Sequence, residues 1–219
     1  MENGIVRFGR YTLAFLAVGV GLHALRYTAV PANIWLGVDH GIRGVIERVP
    51  LQALTHMIVA PIALLTGPWQ FIPQLRARFP RLHRWTGRLY VVACVIAGVA
   101  ALATAPFASG GPIAGLGFGT LAVLWLWTTI SGWRAAVNRK FEQHRIWMRF
   151  SYAMTFGAVT LRLQIPFGFI FFHFHSYSEM SVWLAYTAWI PNVIVVAIYS
   201  LLHARFKRSG AVPTPQAAW

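Results

Sequence analysis

Six apolar stretches of about 20 residues each, at 11–30, 51–71, 85–105, 113–133, 150–172 and 182–203, constrain this chain more than any other feature. Each is long enough to cross the roughly 30 Å hydrocarbon core of a bilayer as a helix. Inside that core the backbone must pair its own polar groups, so spanning segments are helices or a closed barrel, and runs of this length read as helices. Pro61, Gly67, Pro68, Pro166 and Pro191 interrupt the runs. Such breaks are tolerated where neighbouring helices satisfy the freed backbone groups. The expected fold class is an all-α integral membrane protein of six transmembrane helices, one domain over 1–219.

Composition agrees. Of the 219 residues, 57% are hydrophobic and 11% charged, against about 25% charged in soluble domains. Cys94 has no second cysteine to pair with, so no disulfide framework exists. The net charge of +14 raises the question of nucleic acid. Its basic residues, however, fall in short clusters between apolar runs, where a nucleic-acid module carries a continuous basic face. Anionic phospholipids are the acidic partner this pattern implies.

The same clusters orient the chain. Arg7, Arg10, Arg76, Arg78, Arg81, Arg84, Arg88, Arg134, Arg139, Lys140, Arg145, Arg149, Arg205, Lys207 and Arg208 fall on one set of connections, 15 of the 19 basic residues. Arg26, Arg43 and Arg48 fall on the other set, and Arg162 lies inside a span. By the positive-inside rule both termini are expected in the cytoplasm, in an inner membrane. Arg7 and Arg10 precede the first run with no clean small-x-small cleavage site after it, which reads as an uncleaved signal-anchor. In the connection 31–50, Ile42, Val45 and Ile46 recur at helical spacing with Arg43, Glu47 and Arg48 opposite. That pattern predicts a short amphipathic helix lying on the outer surface.

A weak internal repeat locates the candidate chemistry. "HRWTGRLY" (83–90) and "HRIWMRFSY" (144–152) each place Arg directly after His, a second Arg five residues after the His, and a Tyr two turns on. Each copy follows a basic turn and opens a span, so spans two to five read as two related hairpins forming a four-helix core. His83 and His144 then enter from the same face at the same depth. Two such imidazoles can fill both axial positions of one haem iron, with Arg84 and Arg145 available to the propionates. The plainer alternative has both histidines touching lipid phosphates.

His23 and His56, near the outer ends of antiparallel spans, are also expected to share a depth. A second haem there lacks a partner, because the fourth span contains no histidine. His173 and His175, with His40, His23 and His56, offer an outer-face copper or zinc reading. Arg162 lies about ten residues, roughly 15 Å, from the outer end of its span. A cation at that depth marks a partner or a pathway, and a quinone oxygen, a propionate or an acidic group on another chain would serve. The five acidic residues, Glu2, Asp39, Glu47, Glu142 and Glu179, all lie outside the spans, which excludes a relay of membrane carboxylates.

At "LTGPWQF" (65–71), "LHRWTGRLYV" (82–91) and "HRIWMRFSYAMTFGAVTLRL" (144–163), the chain resembles a bacterial family of predicted membrane proteins, the domain of unknown function 2306, over about residues 50–165. The resemblance implies that His56, Gln70, His83, Arg84, Gly87, Tyr90, His144, Arg145, Trp147, Met148, Arg149, Tyr152 and Arg162 are its signature positions. The helix arrangement also resembles the two-haem transmembrane cytochromes of the cytochrome b-561 kind. Those carry ligands on spans two with four and three with five of their core; here His83 and His144 match the second pair and span four departs from the first. The expected function is a membrane redox protein with one haem b near the cytoplasmic side, exchanging electrons with a quinone near Arg162. A second expectation comes from the tail 208–219, read as extended. Pro-, Ala- and Ser-rich termini order when a partner holds them, as in a non-catalytic accessory subunit of a larger membrane complex.

Overall fold

The computed structural model describes residues 4–29 and 40–208; the tail from 209 onward and the connection 30–39 lie outside the described residues. The elements are α1 (Gly4–Ala29), α2 (His40–Arg48), α3 (Pro50–Gln70), α4 (Pro73–Arg78), α5 (Pro80–Thr104), α6 (Gly111–Val137), α7 (Phe141–Thr155), α8 (Gly157–Phe171), α9 (Tyr177–Thr187) and α10 (Ile190–Arg208). A single 3-10 turn, Ala105–Phe107, follows α5. The described residues contain no strand.

Among the described residues, five stretches are long and apolar enough to cross a membrane: Pro50–Gln70, Pro80–Phe107, Gly111–Val137, Phe141–Phe171 and Tyr177–Arg205. They coincide with the second to sixth apolar runs. The first run is represented by the shorter apolar segment Tyr11–Ala24 within α1. The amphipathic helix expected between the first two runs is α2.

The two last spans are not single helices, as the sequence had implied. Phe141–Phe171 breaks at Phe156 into α7 and α8, and the final span breaks between Thr187 and Ile190. Both breaks free backbone groups, and side chains take them up. Asn192 Nδ2 donates to Ala153 O at 3.2 Å and to Thr160 Oγ1 at 2.9 Å, bridging the α7–α8 break. Pro191 has no N–H for Thr187 O, four residues back, and Gln164 Nε2 donates to that oxygen at 3.1 Å. Satisfying backbone groups from neighbouring helices is what lets a broken helix persist in an apolar medium.

The core is built by α3, α5, α6 and α7. Ala63, Tyr90, Ala97, Trp125 and Met154 meet in one buried cluster. Small residues set the close approaches: a side chain at Gly98 would run into Leu126 of α6, and one at Gly132 into Met148 of α7. A second buried cluster, Ala17, Leu64 and Val159, seats α1 against α3 and α8 outside that core. On the opposite side, Gly117 of α6 packs against Ala185 of α9. The four-helix core flanked by the first and last helices is therefore the observed packing.

Candidate functional site: two histidines above a hydroxyl network

Helices α5 and α7 run parallel, and one buried bond fixes their relative level. Tyr90 and Ser151 are joined at 2.9 Å and stand 61 positions apart, the same separation as His83 and His144. Each histidine precedes its member of that bond by seven residues, hence lies on the same helix face two turns nearer the basic turns. His83 and His144 are thus at one level, on the facing sides of α5 and α7. They stand close enough that a charge on either ring acts on the other.

The two rings differ in what holds them. His144 Nδ1 pairs with Gly132 O at 2.9 Å. Gly132 leaves room for this, because a side chain there would collide with Met148. With Nδ1 bound to a carbonyl, the imidazole is fixed in the tautomer that leaves its Nε2 lone pair available. His83 Nδ1 is buried and has no hydrogen-bond partner. Two arginines flank the pair. Arg84 is exposed, and Arg145 forms an ion pair with Glu142 at 3.0 Å.

Below the histidines lies a closed polar network that the sequence reading had not assembled. Thr155 Oγ1 donates its one hydrogen to Ser151 O at 3.0 Å, so it accepts from Trp125 Nε1 at 2.9 Å and from the Tyr90 hydroxyl at 2.9 Å. Tyr90, having given its hydrogen to Thr155, accepts from Ser151 Oγ. Ser151 in turn accepts from Thr129 Oγ1 at 2.7 Å. Every hydroxyl hydrogen in this ring of contacts is used once, which the donor inventory of Ser, Thr, Tyr and Trp permits. The signal was present in the sequence as Thr129, Ser151 and Thr155 inside apolar runs. Which of them meet depended on the helix register.

Tyr152 stands beside this network without joining it. Its hydroxyl is buried and unpartnered. Its ring is hemmed by Phe71 at 5.3 Å, Phe156 at 6.3 Å and Tyr90 at 6.4 Å between centroids. Gly67 makes the space, since a Cβ there would lie 2.5 Å from Tyr152 Cδ2. One turn further along α3, Gln70 Nε2 donates to Thr86 Oγ1 at 2.6 Å, and its Oε1 would lie 3.2 Å from a Cβ at Gly87. Gly67, Gln70, Thr86 and Gly87 thus join α3 to α5 just below His83.

The outer histidines are arranged differently from the expectation. Gly21 of α1 packs on Leu65 of α3, and Val18 and Pro68 line one groove between the same two helices. In that antiparallel register His23 stands opposite Ala63, seven residues from His56 along α3, or about 10 Å. The two do not share a depth, and His23 is exposed. His56 instead pairs through Nδ1 with Ala97 O at 3.0 Å. Arg162 Nη1 donates to Ala158 O at 3.0 Å, one turn back on its own helix. His56 is thus held by a backbone carbonyl of α5, and Arg162 by one on its own helix.

His175 is exposed, near Glu179 at 3.9 Å, and His173 adopts a left-handed turn with φ 53. Among the described residues no group of three or more His, Cys, Asp or Glu side chains could hold a metal. The outer-face copper or zinc reading has no such cluster to rest on, and the His40 side chain lies outside what is described.

The family model described as "Predicted membrane protein (DUF2306)" matches residues 53–200. It covers the four-helix core and continues into α10. No curated protein and no solved structure matches the chain.

Proposed function

The chain belongs to the DUF2306 family of predicted membrane proteins, and we propose that this member is a membrane redox protein holding one haem b between His83 and His144. One observation carries the reading. Two histidines share a level on facing sides of α5 and α7, one oriented through Gly132 O and the other with a buried, unpartnered Nδ1. An orphaned buried polar atom in a native core calls for an explanation, and an imidazole awaiting a ligand is one. The donor set suits the group: His83 and His144 would hold the iron through two neutral imidazoles, the ligand class of electron-transfer haems. Bound there, the haem supplies one-electron exchange between ferric and ferrous iron, and a quinone in the bilayer is the proposed exchange partner. The chain's own contribution is to hold the rings. Gly132 O orients His144, the Tyr90–Ser151 bond sets the helix level, and Arg84 and Arg145 are the cations that would meet the propionates.

A second haem at His23 and His56 is not part of this reading, because those residues lie at different levels. The test is the visible spectrum of protein produced with ample haem. Sharp b-type bands in the reduced wild type, lost in His83→Ala and in His144→Ala and kept in His173→Ala, support the reading. A colourless protein refutes it and leaves an accessory subunit of a membrane complex as the account of the chain.

A further inference from the structure

Between Glu47 and Glu142 the chain carries no Asp or Glu, yet the turn from α3 into α5 holds Arg76, Arg78, Arg81, Arg84 and Arg88. None of these arginines forms an ion pair among the described residues, where Glu142 pairs with Arg145 and Glu179 lies beside His175. Helical spacing puts Arg81, Trp85 and Arg88 on one side of α5, continued by Val92, Ile96 and Val99, and all of them are exposed. His83 and the buried Tyr90 lie on the opposite side, toward the core. The basic stripe is therefore separate from the histidine pair. Two of the arginines rest on rings: Arg88 Cζ lies 5.1 Å from the Trp85 ring centroid, and Arg78 Cζ lies 5.6 Å from that of Phe79. Phe79, Leu82 and Trp85 are themselves exposed, at the end of a span, where aromatic rings settle at the level of lipid headgroups. At this level Arg78, Phe79, Pro80, Arg81 and Leu82 line an open hollow of about 380 Å³.

We infer that this hollow binds the headgroup of an anionic phospholipid, with its phosphate between Arg78 and Arg81 and an acyl chain along Val92, Ile96 and Val99. The match has three parts. The first is charge: guanidinium groups with no carboxylate partner call for an anion, and their planar donor fork suits phosphate oxygens. The second is length. Val99 lies roughly 16 Å beyond Arg88 along α5, about half the thickness of a hydrocarbon core, which is the depth of one leaflet. Headgroup and chain thus meet one continuous face of the helix, basic and aromatic at its end and aliphatic below. The third is selectivity. The choline of a zwitterionic lipid would bring a second cation up to Arg76 and Arg84, whereas an uncharged glycerol headgroup brings none. A soluble phosphate can meet the same two arginines but leaves the aliphatic stripe uncovered, so the occupant is the lipid. Basic pockets at the ends of membrane helices hold acidic headgroups in this way. This site stands or falls independently of the haem.

The experiment is a titration of the purified protein in a neutral detergent with dioleoyl-phosphatidylglycerol, read as a thermal-stability shift. Dioleoyl-phosphatidylcholine and inorganic phosphate are titrated in parallel. Saturable stabilisation by phosphatidylglycerol, and by neither of the others at the same concentration, is the expected result. The double variant Arg78→Gln/Arg81→Gln should need about thirtyfold more phosphatidylglycerol for the same shift, because each arginine near an anionic headgroup is worth about fivefold. Arg134→Gln/Lys140→Gln removes the same charge from the neighbouring basic turn, at exposed positions outside the hollow, and should respond as the wild type does. Absence of saturable stabilisation overturns the site, as does an equal response to phosphatidylcholine. Equal stabilisation by inorganic phosphate would make it an anion site and not a lipid site. A normal response in Arg78→Gln/Arg81→Gln overturns the assignment to this hollow. So does an equal loss in Arg134→Gln/Lys140→Gln, which would show that net charge alone attracts the lipid.

Discussion

Gly67→Ala puts the close approach of α3 to α7 under direct strain. The added Cβ would lie 2.5 Å from Tyr152 Cδ2, closer still to Cε2, and 3.2 Å from Tyr90 Cε2, where carbon atoms rest at about 3.5–4.0 Å. Relief requires the Tyr152 ring to move by roughly 1 Å, against Phe71 on one side and Phe156 on the other. Tyr90 cannot yield in exchange, because its hydroxyl is tied to Ser151 and Thr155. Overpacking of this kind costs about 1–3 kcal/mol, and this case belongs at the upper end because the neighbours are rings. The helix gains about 1 kcal/mol from replacing glycine by alanine, leaving a net loss of about 2 kcal/mol. Gly19→Ala on α1 is the control, since nothing lies within 4 Å of a Cβ there and only the gain of up to about 1 kcal/mol remains. Unfolding by SDS in mixed micelles, followed by tryptophan fluorescence, should separate the two variants by about 3 kcal/mol. Adding Tyr152→Leu to Gly67→Ala should recover much of the loss. If Gly67→Ala unfolds no earlier than Gly19→Ala, the packing described between α3 and α7 is wrong.

Other expectations follow from separate parts of the fold. Tyr90→Phe strands Ser151 and leaves Thr155 one donor short, and should cost about 1–2 kcal/mol in the same unfolding assay; an unchanged midpoint would show that the network is not closed as described. Asn192→Leu removes the donor to Ala153 O and the bridge to Thr160. It should destabilise by about 1–3 kcal/mol and speed amide hydrogen exchange around Phe156, whereas exchange equal to the wild type would mean that the α7–α8 break needs no clamp. For orientation, a reporter fused after Trp219 should be active in the cytoplasm and one inserted near Ser109 outside, as the basic connections imply. The opposite pair of signals would reverse the topology.

Much of the helical architecture was legible because apolar length is a one-dimensional signal, and lipid makes it strict. The level of His83 and His144 was legible for a different reason. The repeated His-Arg opening carries its own register, and the Tyr90–Ser151 bond has the same 61-residue offset. His23 and His56 had no such internal ruler. Their relative height depends on how Gly21 seats against Leu65, a contact that hydropathy does not encode. The break at Phe156 was hidden for a related reason. Its only local mark is Gly157, and the group that makes it tolerable, Asn192, lies 39 positions from the carbonyl it satisfies. The hydroxyl network was spread over α5, α6 and α7 as isolated Ser, Thr, Tyr and Trp residues, each unremarkable until the helices were side by side.

The central claim is that His83 and His144 are the two axial ligands of one haem. Magnetic circular dichroism of the purified protein, made with ample haem, tests it most directly because it reports spin state and axial-ligand class together. A six-coordinate, low-spin, bis-imidazole signature is the expected result. Either His83→Ala or His144→Ala should convert it to a high-spin or haem-free protein, while His56→Ala and His173→Ala leave it unchanged. A haem-free wild type, or a bis-imidazole signal that survives loss of His83 or of His144, would contradict the account.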